Sequence, residues 1–114
     1  MNLDRMFYFV VISDQKGAYI AERELCDMTR ERTVKQIASG EWHGVCNIIE
    51  VNPAEGISQD VTEEIATEVG DYWSMSDEPL EHWQREFIEA HLGVSYANRF
   101  RPEREAIVDM RWTR

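Results

Sequence analysis

Hydrophobic and polar positions change their period several times along the chain, and the first change comes near the N-terminus. Residues 5–13, RMFYFVVIS, contain a continuous run of apolar side chains, several of them β-branched or aromatic. Such a run is too short for a typical helix and is typical of a central strand that is buried on both faces. The turn sequence at residues 14–17 ends in glycine. Residues 18–21 therefore predict a second strand that pairs back on the first as a hairpin.

Residues 27–39 change to a helical period, in which apolar side chains recur three and four positions apart. Thr29 offers a hydroxyl oxygen to the free amide groups of the first turn, and Asp27 offers a carboxylate for the same role. Gly40 follows the last apolar position, where a glycine commonly ends a helix. These signals predict a helix whose apolar face is formed by Val34, Ile37 and Ala38.

Residues 43–51, HGVCNIIEV, return to alternation and predict a third strand. Strict alternation places Val45 on the same face as Ile49, and Ile48 on the opposite face. The segment at residues 52–56 contains a proline and a glycine, which predict the turn that ends this strand.

Residues 57–93 form a long, strongly acidic stretch that predicts two consecutive amphipathic helices. Asp60, followed three residues later by a glutamate, has the spacing of a capping box at the start of the first helix. Ser76 or Asp77 predicts the cap of the second helix, with Pro79 in its first turn. The predicted apolar stripes are Val61, Ile65, Val69 and Tyr72 or Trp73 in the first helix, and Leu80, Trp83, Phe87 and His91 or Leu92 in the second.

Together these elements predict a single α+β domain over residues 1–114, since a chain of this length rarely divides into two domains. The expected architecture is a small, mainly antiparallel sheet of three or four strands with helices packed on one face, in the order β-β-α-β-α-α. Alternation over residues 106–113 favours a further strand in the C-terminal tail. Residues 102–105, Pro-Glu-Arg-Glu, fit the start of a helix equally well.

Charge changes the picture because it is concentrated in one part of the chain. The formal net charge is −10, from 22 acidic and 12 basic residues. Residues 50–90 hold twelve acidic residues and one basic residue, Arg85, whereas both flanking parts are nearly balanced. A field of this sign opposes direct binding to nucleic acid or to an anionic membrane, and it favours a basic protein partner.

The cellular location is predicted from what the chain lacks. Cys26 and Cys46 are too few for a disulfide framework and are expected to be buried, reduced thiols. The N-terminal segment has one arginine before a short apolar run and no small-residue cleavage site, so no signal peptide is expected. No apolar run approaches the roughly 20 residues that cross a bilayer. We therefore expect a cytoplasmic protein.

Candidate catalytic and metal-binding residues are sparse. His43 and Cys46 have an H-x-x-C spacing, but a structural zinc site usually needs a second paired element, and on a strand these side chains point to opposite faces. The sequence contains no G-x-S-x-G, P-loop or G-x-G-x-x-G motif. We therefore predict no metal, no cofactor and no catalytic residue. Two alternatives stay open: a small enzyme or metal-dependent domain that uses Glu41, His43 and Cys46, and a homo-oligomeric regulatory module with an aromatic dimer interface.

The acidic helical pair leads to the main functional prediction. Carboxylates four residues apart on a helix are separated by about 6 Å along its axis, and phosphates along one DNA strand advance by about 3.4 Å each. A helical face rich in carboxylates can therefore resemble a run of phosphates to a basic protein, although such a face also serves solubility alone. The predicted partner-binding residues are Glu63, Glu64, Glu68, Asp71, Glu78, Glu81, Glu89 and, as an aromatic anchor, Trp73.

In size, acidity and absence of a catalytic signature, the chain is similar to the small nucleic-acid-mimicking inhibitors of phages and mobile elements, such as anti-restriction and anti-CRISPR proteins. This similarity is one of composition and assigns no role to any residue, because those inhibitors share no common sequence. It implies a non-enzymatic inhibitor that occupies the basic groove of a nucleic-acid-binding complex.

Overall fold

In the computed structural model, which describes residues 4–76 and 78–100, the chain forms a four-stranded antiparallel sheet and four α-helices. The strands are β1 (Phe7–Asp14), β2 (Gly17–Ile20), β3 (Val45–Asn52) and β4 (Ile57–Asp60), in the sheet order β2-β1-β3-β4. The helices are α1 (Arg30–Ala38), α2 (Thr62–Ser74), α3 (His82–Leu92) and α4 (Val94–Ala97). The predicted α+β class is therefore confirmed. The predictions for Asp77 and for the C-terminal tail lie outside the described residues.

The predicted hairpin of β1 and β2 is present, and β1 lies inside the sheet because it also pairs with β3. Val10 and Ile12 are buried beneath the helices, whereas Phe9 and Val11 on the other face are only half-buried. Gly17 follows the turn with a φ of 128°, a conformation that strains residues with a side chain. The central position was predicted correctly, but one of the two faces is less buried than expected.

A β-bulge in β3 changes the predicted face of one residue. The pairing of β1 with β3 shifts between Val11 and Ile12, which leaves Cys46 as an extra residue. Val45 before the bulge and Ile48 after it are therefore both buried on the face beneath the helices. The prediction that these two side chains lie on opposite faces was wrong, because strict alternation does not allow for an inserted residue.

The fourth strand was not predicted as a separate element. All four of its residues, ISQD, are exposed, so it lacks the apolar alternation that marks a strand in sequence. It pairs antiparallel with β3, so that Asp60 lies opposite Ile49 at one end and Ile57 lies opposite Asn52 at the other. Asp60 still helps to begin α2, because its Oδ1 accepts hydrogen bonds from the backbone N–H and the hydroxyl of Thr62. The predicted capping box is absent, since the residue at the N-cap is Val61.

The second acidic helix begins later than predicted. Its N-cap is Glu81, whose side chain accepts from the backbone of Gln84, while the backbone N–H of Glu81 donates to Gln84 Oε1 at 2.7 Å. Pro79 therefore lies in the connection before α3. The prediction of a start at Ser76 was wrong because serine is a commoner cap than glutamate. Gly93 ends α3 as predicted, with a φ of 92°.

The core lies between one face of the sheet and the helices. Its fully buried side chains come from every layer: Val10 and Ile48 from the sheet, Ile37 from α1, Ile65 and Val69 from α2, and Ile88 from α3. Gly70 allows α4 to approach α2, because a Cβ there would be 3.1 Å from the Tyr96 ring. Within the described residues, no helix is both long and apolar enough to cross a bilayer.

Candidate functional site

The carboxylates predicted to bind a partner lie on α2, on the connection after it and at the start and middle of α3. They are exposed, apart from Glu68 and Glu89, which are half-buried. The sequence of α2 contains no lysine or arginine, and that of α3 contains only Arg85. We call these seven residues the acidic surface: Glu63, Glu64, Glu68, Asp71, Glu78, Glu81 and Glu89.

One arginine from α1 partly compensates the charge of α2. Arg30 forms an ion pair with Glu68, and its Nη2 lies 3.5 Å from Glu64 Oε2. The Glu64 side chain stays 64% exposed, and pairs this exposed typically stabilise a fold by at most about 1 kcal/mol. One guanidinium leaves most of the negative charge of a helix with four carboxylates in place. No local sequence signal predicts this contact, because Arg30 and Glu68 are 38 positions apart.

Two other carboxylates of the acidic surface accept hydrogen bonds from neutral groups. Tyr96 OH donates to Asp71 at 3.3 Å, and Trp83 Nε1 donates to Glu81 at 2.7 Å. Burial, together with the nearby carboxylate of Asp71, raises the pKa of Tyr96, which keeps the phenol a neutral donor at physiological pH. Neutral donors orient a carboxylate without removing its charge. Both residues therefore still contribute to the field, although Glu81 is also needed for the start of α3.

Trp73 does not belong to the acidic surface. Its side chain is 7% exposed, and Nε1 donates to the carbonyl oxygen of Ala38 at 3.0 Å. Its ring packs edge-on against Trp83 and Phe87, with centroids 5.5 and 5.9 Å away. The residue predicted as an aromatic anchor for a partner is therefore part of the core. Its neighbour Tyr72 is the exposed aromatic of α2, at 53%.

A buried carboxylate lies on the helix-covered face of the sheet. Glu50 is 8% exposed, and its two oxygens accept from Tyr8 OH at 2.6 Å and from Gln59 Nε2 at 2.8 Å. These hydrogen bonds lower the pKa of Glu50 below its usual value. No buried side-chain nitrogen or oxygen among the described residues lacks a hydrogen-bond partner. The Glu50 cluster is therefore explained by structure, without a ligand.

The lowered pKa of Glu50 predicts a loss of stability in acid. A carboxyl group whose pKa is lower in the folded state stabilises the fold above its ordinary pKa of 4.5, and this contribution is lost as the pH falls. Glu50→Gln should be less stable at neutral pH by about 1–3 kcal/mol, because one amide oxygen replaces two acceptors. Its stability should also fall less steeply in acid than that of the wild type. Urea unfolding across the acidic range measures both effects.

Glu55→Gln is the matched control for this prediction, since Glu55 is exposed in the turn before β4. It should follow the wild-type dependence of unfolding free energy on pH. An acid dependence of Glu50→Gln that matches the wild type would contradict a stabilising role for the ionised Glu50.

A cleft of about 180 Å³ opens between α3 and the segment that leads into β3. His43 stacks on Trp83, with ring centroids 4.9 Å apart and an angle of 20° between the planes. His91 lies edge-on to Phe87 at 4.8 Å, and its Nε2 is 2.8 Å from the carbonyl oxygen of Val45. We call this feature the aromatic cleft, defined by Trp42, His43, Trp83, Glu86, Phe87 and His91.

The residues of the alternative catalytic or metal-binding set are not brought together. Glu41, His43 and Cys46 each line a different depression of the surface. Among the described residues, no group of three or more histidine, cysteine or acidic side chains is arranged to hold a metal ion. Cys26 and Cys46 are free thiols. Cys26 is exposed and Cys46 is half-buried, so the prediction that both are buried was wrong. Within the described part of the chain, Glu41, His43 and Cys46 therefore do not form a common site.

Comparison with protein-family models, with curated proteins and with solved structures finds no match to this chain. The similarity to nucleic-acid-mimicking inhibitors therefore stays one of composition.

Proposed function

We propose that this chain is a non-enzymatic binding protein that presents its acidic surface to a basic protein partner. The supporting observation is the charge of α2, which carries four carboxylates, has no basic residue of its own and is paired with Arg30 of α1. Most of these carboxylates are exposed, so a partner can reach them without unfolding any element. A field of this kind attracts basic surfaces at long range and accelerates their association.

The spacing of the carboxylates suggests what kind of basic partner fits. Glu64, Glu68 and Asp71 follow one another at i, i+4 and i+7 and therefore lie along one stripe of α2. The rise of a helix separates neighbouring members of this stripe by about 4.5–6 Å. Arg30 already contacts Glu64 and Glu68, so a groove whose lysine and arginine side chains bind successive phosphates, at about 3.4 Å per nucleotide, would compete with Arg30 for this stripe.

We therefore propose that the partner is a nucleic-acid-binding protein or complex and that this chain competes with DNA or RNA for its basic groove. Such an inhibitor would be of the type that phages and mobile elements produce against restriction or CRISPR systems. Direct binding to nucleic acid is disfavoured, because the phosphates would meet a surface of the same sign.

Reversing the charge of Glu63, Glu64 and Glu89 to lysine should abolish this binding. Each loses a negative charge and gains a positive one, so cations of the partner would be repelled at three positions. This set spares Glu81, which caps α3, and Glu68, which forms the shorter contact with Arg30, whereas Glu64 lies 3.5 Å from Arg30. Glu63 and Glu64 lie in the first turn of α2, where each reversal costs about 0.3–1 kcal/mol of stability. Circular dichroism and thermal unfolding would verify that the variant is folded.

The matched control reverses Glu22, Glu24 and Glu55, which are exposed and lie outside α2 and α3. It changes the net charge by the same amount. Affinity capture from the native cells, followed by quantitative mass spectrometry, should recover basic nucleic-acid-binding proteins with the wild type and the control. These proteins should be lost with the reversal variant and released by added duplex DNA. Equal recovery by both variants would show that the acidic surface is not the binding site.

A further inference from the structure

The aromatic cleft has the size of a pocket for one side chain. Its volume of about 180 Å³ is well below the roughly 300–1,000 Å³ of sites that hold cofactors or drug-sized ligands. Three of its walls are the rings of Trp42, Trp83 and Phe87, which are supplied by α3 and by the segment before β3. The cleft is therefore suited to a small planar or apolar group rather than to a cofactor.

The cleft is held in shape by contacts that do not involve a ligand. The ring of His91 is fixed by its hydrogen bond with the carbonyl oxygen of Val45 and by its edge contact with Phe87. Trp83 is held by the stacked ring of His43 on one side and by its Nε1 bond to Glu81. A site that is formed in advance loses little conformational entropy when it is filled.

Charge selects among the groups that would fit. Glu86 lines the cleft, and its side chain is 68% exposed. Its Oε1 lies 2.8 Å from His82 Nε2 in an exposed contact, which a guanidinium can replace. Among the described residues that line the cleft, none is a lysine or an arginine. An incoming cation therefore meets a carboxylate and aromatic rings, whose faces carry negative charge density, although the guanidinium of Arg23 already lies over the Trp42 ring, 5.4 Å from its centroid.

Arginine is the cation that matches this combination best. Its guanidinium is planar, stacks on aromatic rings and binds a carboxylate through two parallel N–H groups, whereas lysine offers a compact point charge. The chain already forms such contacts internally. The guanidinium carbon Cζ of Arg5 lies 4.3 Å from the centroid of the Phe7 ring. The same distance is 5.4 Å for Arg23 over Trp42 and 4.8 Å for Arg99 over Tyr96.

We propose that the aromatic cleft binds an arginine side chain of the basic partner, between the rings and with its guanidinium on Glu86. This inference rests on the proposed function, since it names the group with which that partner is anchored beside the acidic surface. The acidic surface supplies long-range attraction, and the cleft supplies short-range contacts with aromatic rings and one carboxylate.

Two small probes separate the charge of the guanidinium from its shape. Acetyl-arginine amide and acetyl-citrulline amide are nearly isosteric, but only the arginine compound is a cation. Titration followed by two-dimensional NMR should give saturable shifts of the Trp42 and Trp83 indole N–H signals with the arginine probe. The citrulline probe should bind at least about fivefold more weakly, the range of a cation–π contact. Equal binding of the two probes would overturn the proposal. Nα-acetyl-lysine amide, a cation without a planar group, serves as a third probe, and binding of this compound that is tighter than binding of the arginine probe would also overturn it.

Variants locate the probe in the cleft. Glu86→Gln should weaken binding of the arginine probe by about two- to fivefold, since an exposed carboxylate contributes modestly. The matched control is Glu31→Gln, which removes another exposed carboxylate, in this case from an i, i+4 pair with Lys35 on α1. Phe87→Leu keeps an apolar wall but removes the ring, and it should weaken the arginine probe more than the citrulline probe. Identical affinities of Glu86→Gln and the wild type would contradict the role of Glu86.

The outcomes distinguish this inference from the proposed function. The variant with Glu63, Glu64 and Glu89 reversed should lose the basic partner and still bind the arginine probe. If that variant no longer captures the basic partner, but the arginine probe causes no shifts of the indole signals in the wild type, the cleft proposal alone would be overturned. Probe binding without capture of any basic protein would overturn the proposed function alone. A dimer in light scattering that Phe87→Leu disrupts would assign the cleft to a second copy of the chain and overturn the proposal.

Discussion

Replacing Trp73 with alanine should lower the free energy of unfolding by about 3–5 kcal/mol, the usual cost of truncating a buried tryptophan. The side chain fills the space between α2, α3 and the end of α1, where its ring contacts Trp83 and Phe87. Truncation would leave a cavity and remove the donor to the carbonyl oxygen of Ala38. Urea unfolding followed by circular dichroism measures the change.

The neighbouring Tyr72 provides the control, because it is 53% exposed on the same helix. Tyr72→Ala should change stability by no more than about 0.5 kcal/mol, as is usual for surface substitutions. The pair of variants separates the two roles that an aromatic residue on an acidic helix can have. A Trp73→Ala variant that unfolds like the wild type but loses partner binding would place Trp73 in the interface and contradict its position in the core.

Replacing Gly44 with alanine should destabilise the fold by about 3 kcal/mol or more, because two effects combine. Gly44 has a φ of 78°, and a Cβ at this position would lie 2.6 Å from the backbone oxygen of Ser13. The backbone cannot simply move away, since the N–H of Ser13 donates to the carbonyl oxygen of Gly44 at 2.8 Å. The clash lies beside the β3 bulge, so it would also disturb the segment that supplies Trp42 and His43 to the aromatic cleft.

Gly56 separates the steric effect from the conformational one. Its φ of 67° is equally unfavourable for alanine, but no atom lies within 4 Å of the position of an added Cβ. Gly56→Ala should therefore cost only the backbone term, about 1–2 kcal/mol. Thermal or urea unfolding of the two variants would compare them directly, and similar losses would contradict the close contact between Gly44 and Ser13.

The elements that the sequence predicted correctly are those fixed by local interactions. The apolar run of β1 and the glycine after its turn determine the first hairpin, and the threonine hydroxyl of Thr29 caps α1 by accepting from the backbone of Arg32. The features that were not predicted depend on strand pairing between residues that are distant in sequence. β4 forms because β3 offers it a free edge, and the bulge at Cys46 follows from the pairing of β1 with β3.

The candidate site was likewise only partly predictable from the sequence. Formal charge is a property of composition, so the concentration of carboxylates between residues 50 and 90 was visible without a structure. The contact between Arg30 on α1 and Glu68 on α2 was not visible in the sequence, because it forms only when the two helices pack together. The burial of Trp73 was not visible either, because it depends on the packing of α3 against α2. The aromatic cleft had no sequence signal either, since its rings come from two separate segments; Trp42 and Trp83, for example, are 41 positions apart. Side chains from separate segments meet there only after the chain has folded.

The most direct test of the central claim compares dissociation constants for a captured basic partner by calorimetric titration at low and high salt. The three proteins are the wild type, the variant with Glu63, Glu64 and Glu89 reversed, and the control with Glu22, Glu24 and Glu55 reversed. We expect the wild type and the control to bind with similar affinity, which weakens as salt screens the charges. The first variant should bind at least about tenfold more weakly at low salt, since close like charges in an interface cost several kcal/mol. Equal affinities of the two reversed variants would contradict a binding role for the acidic surface.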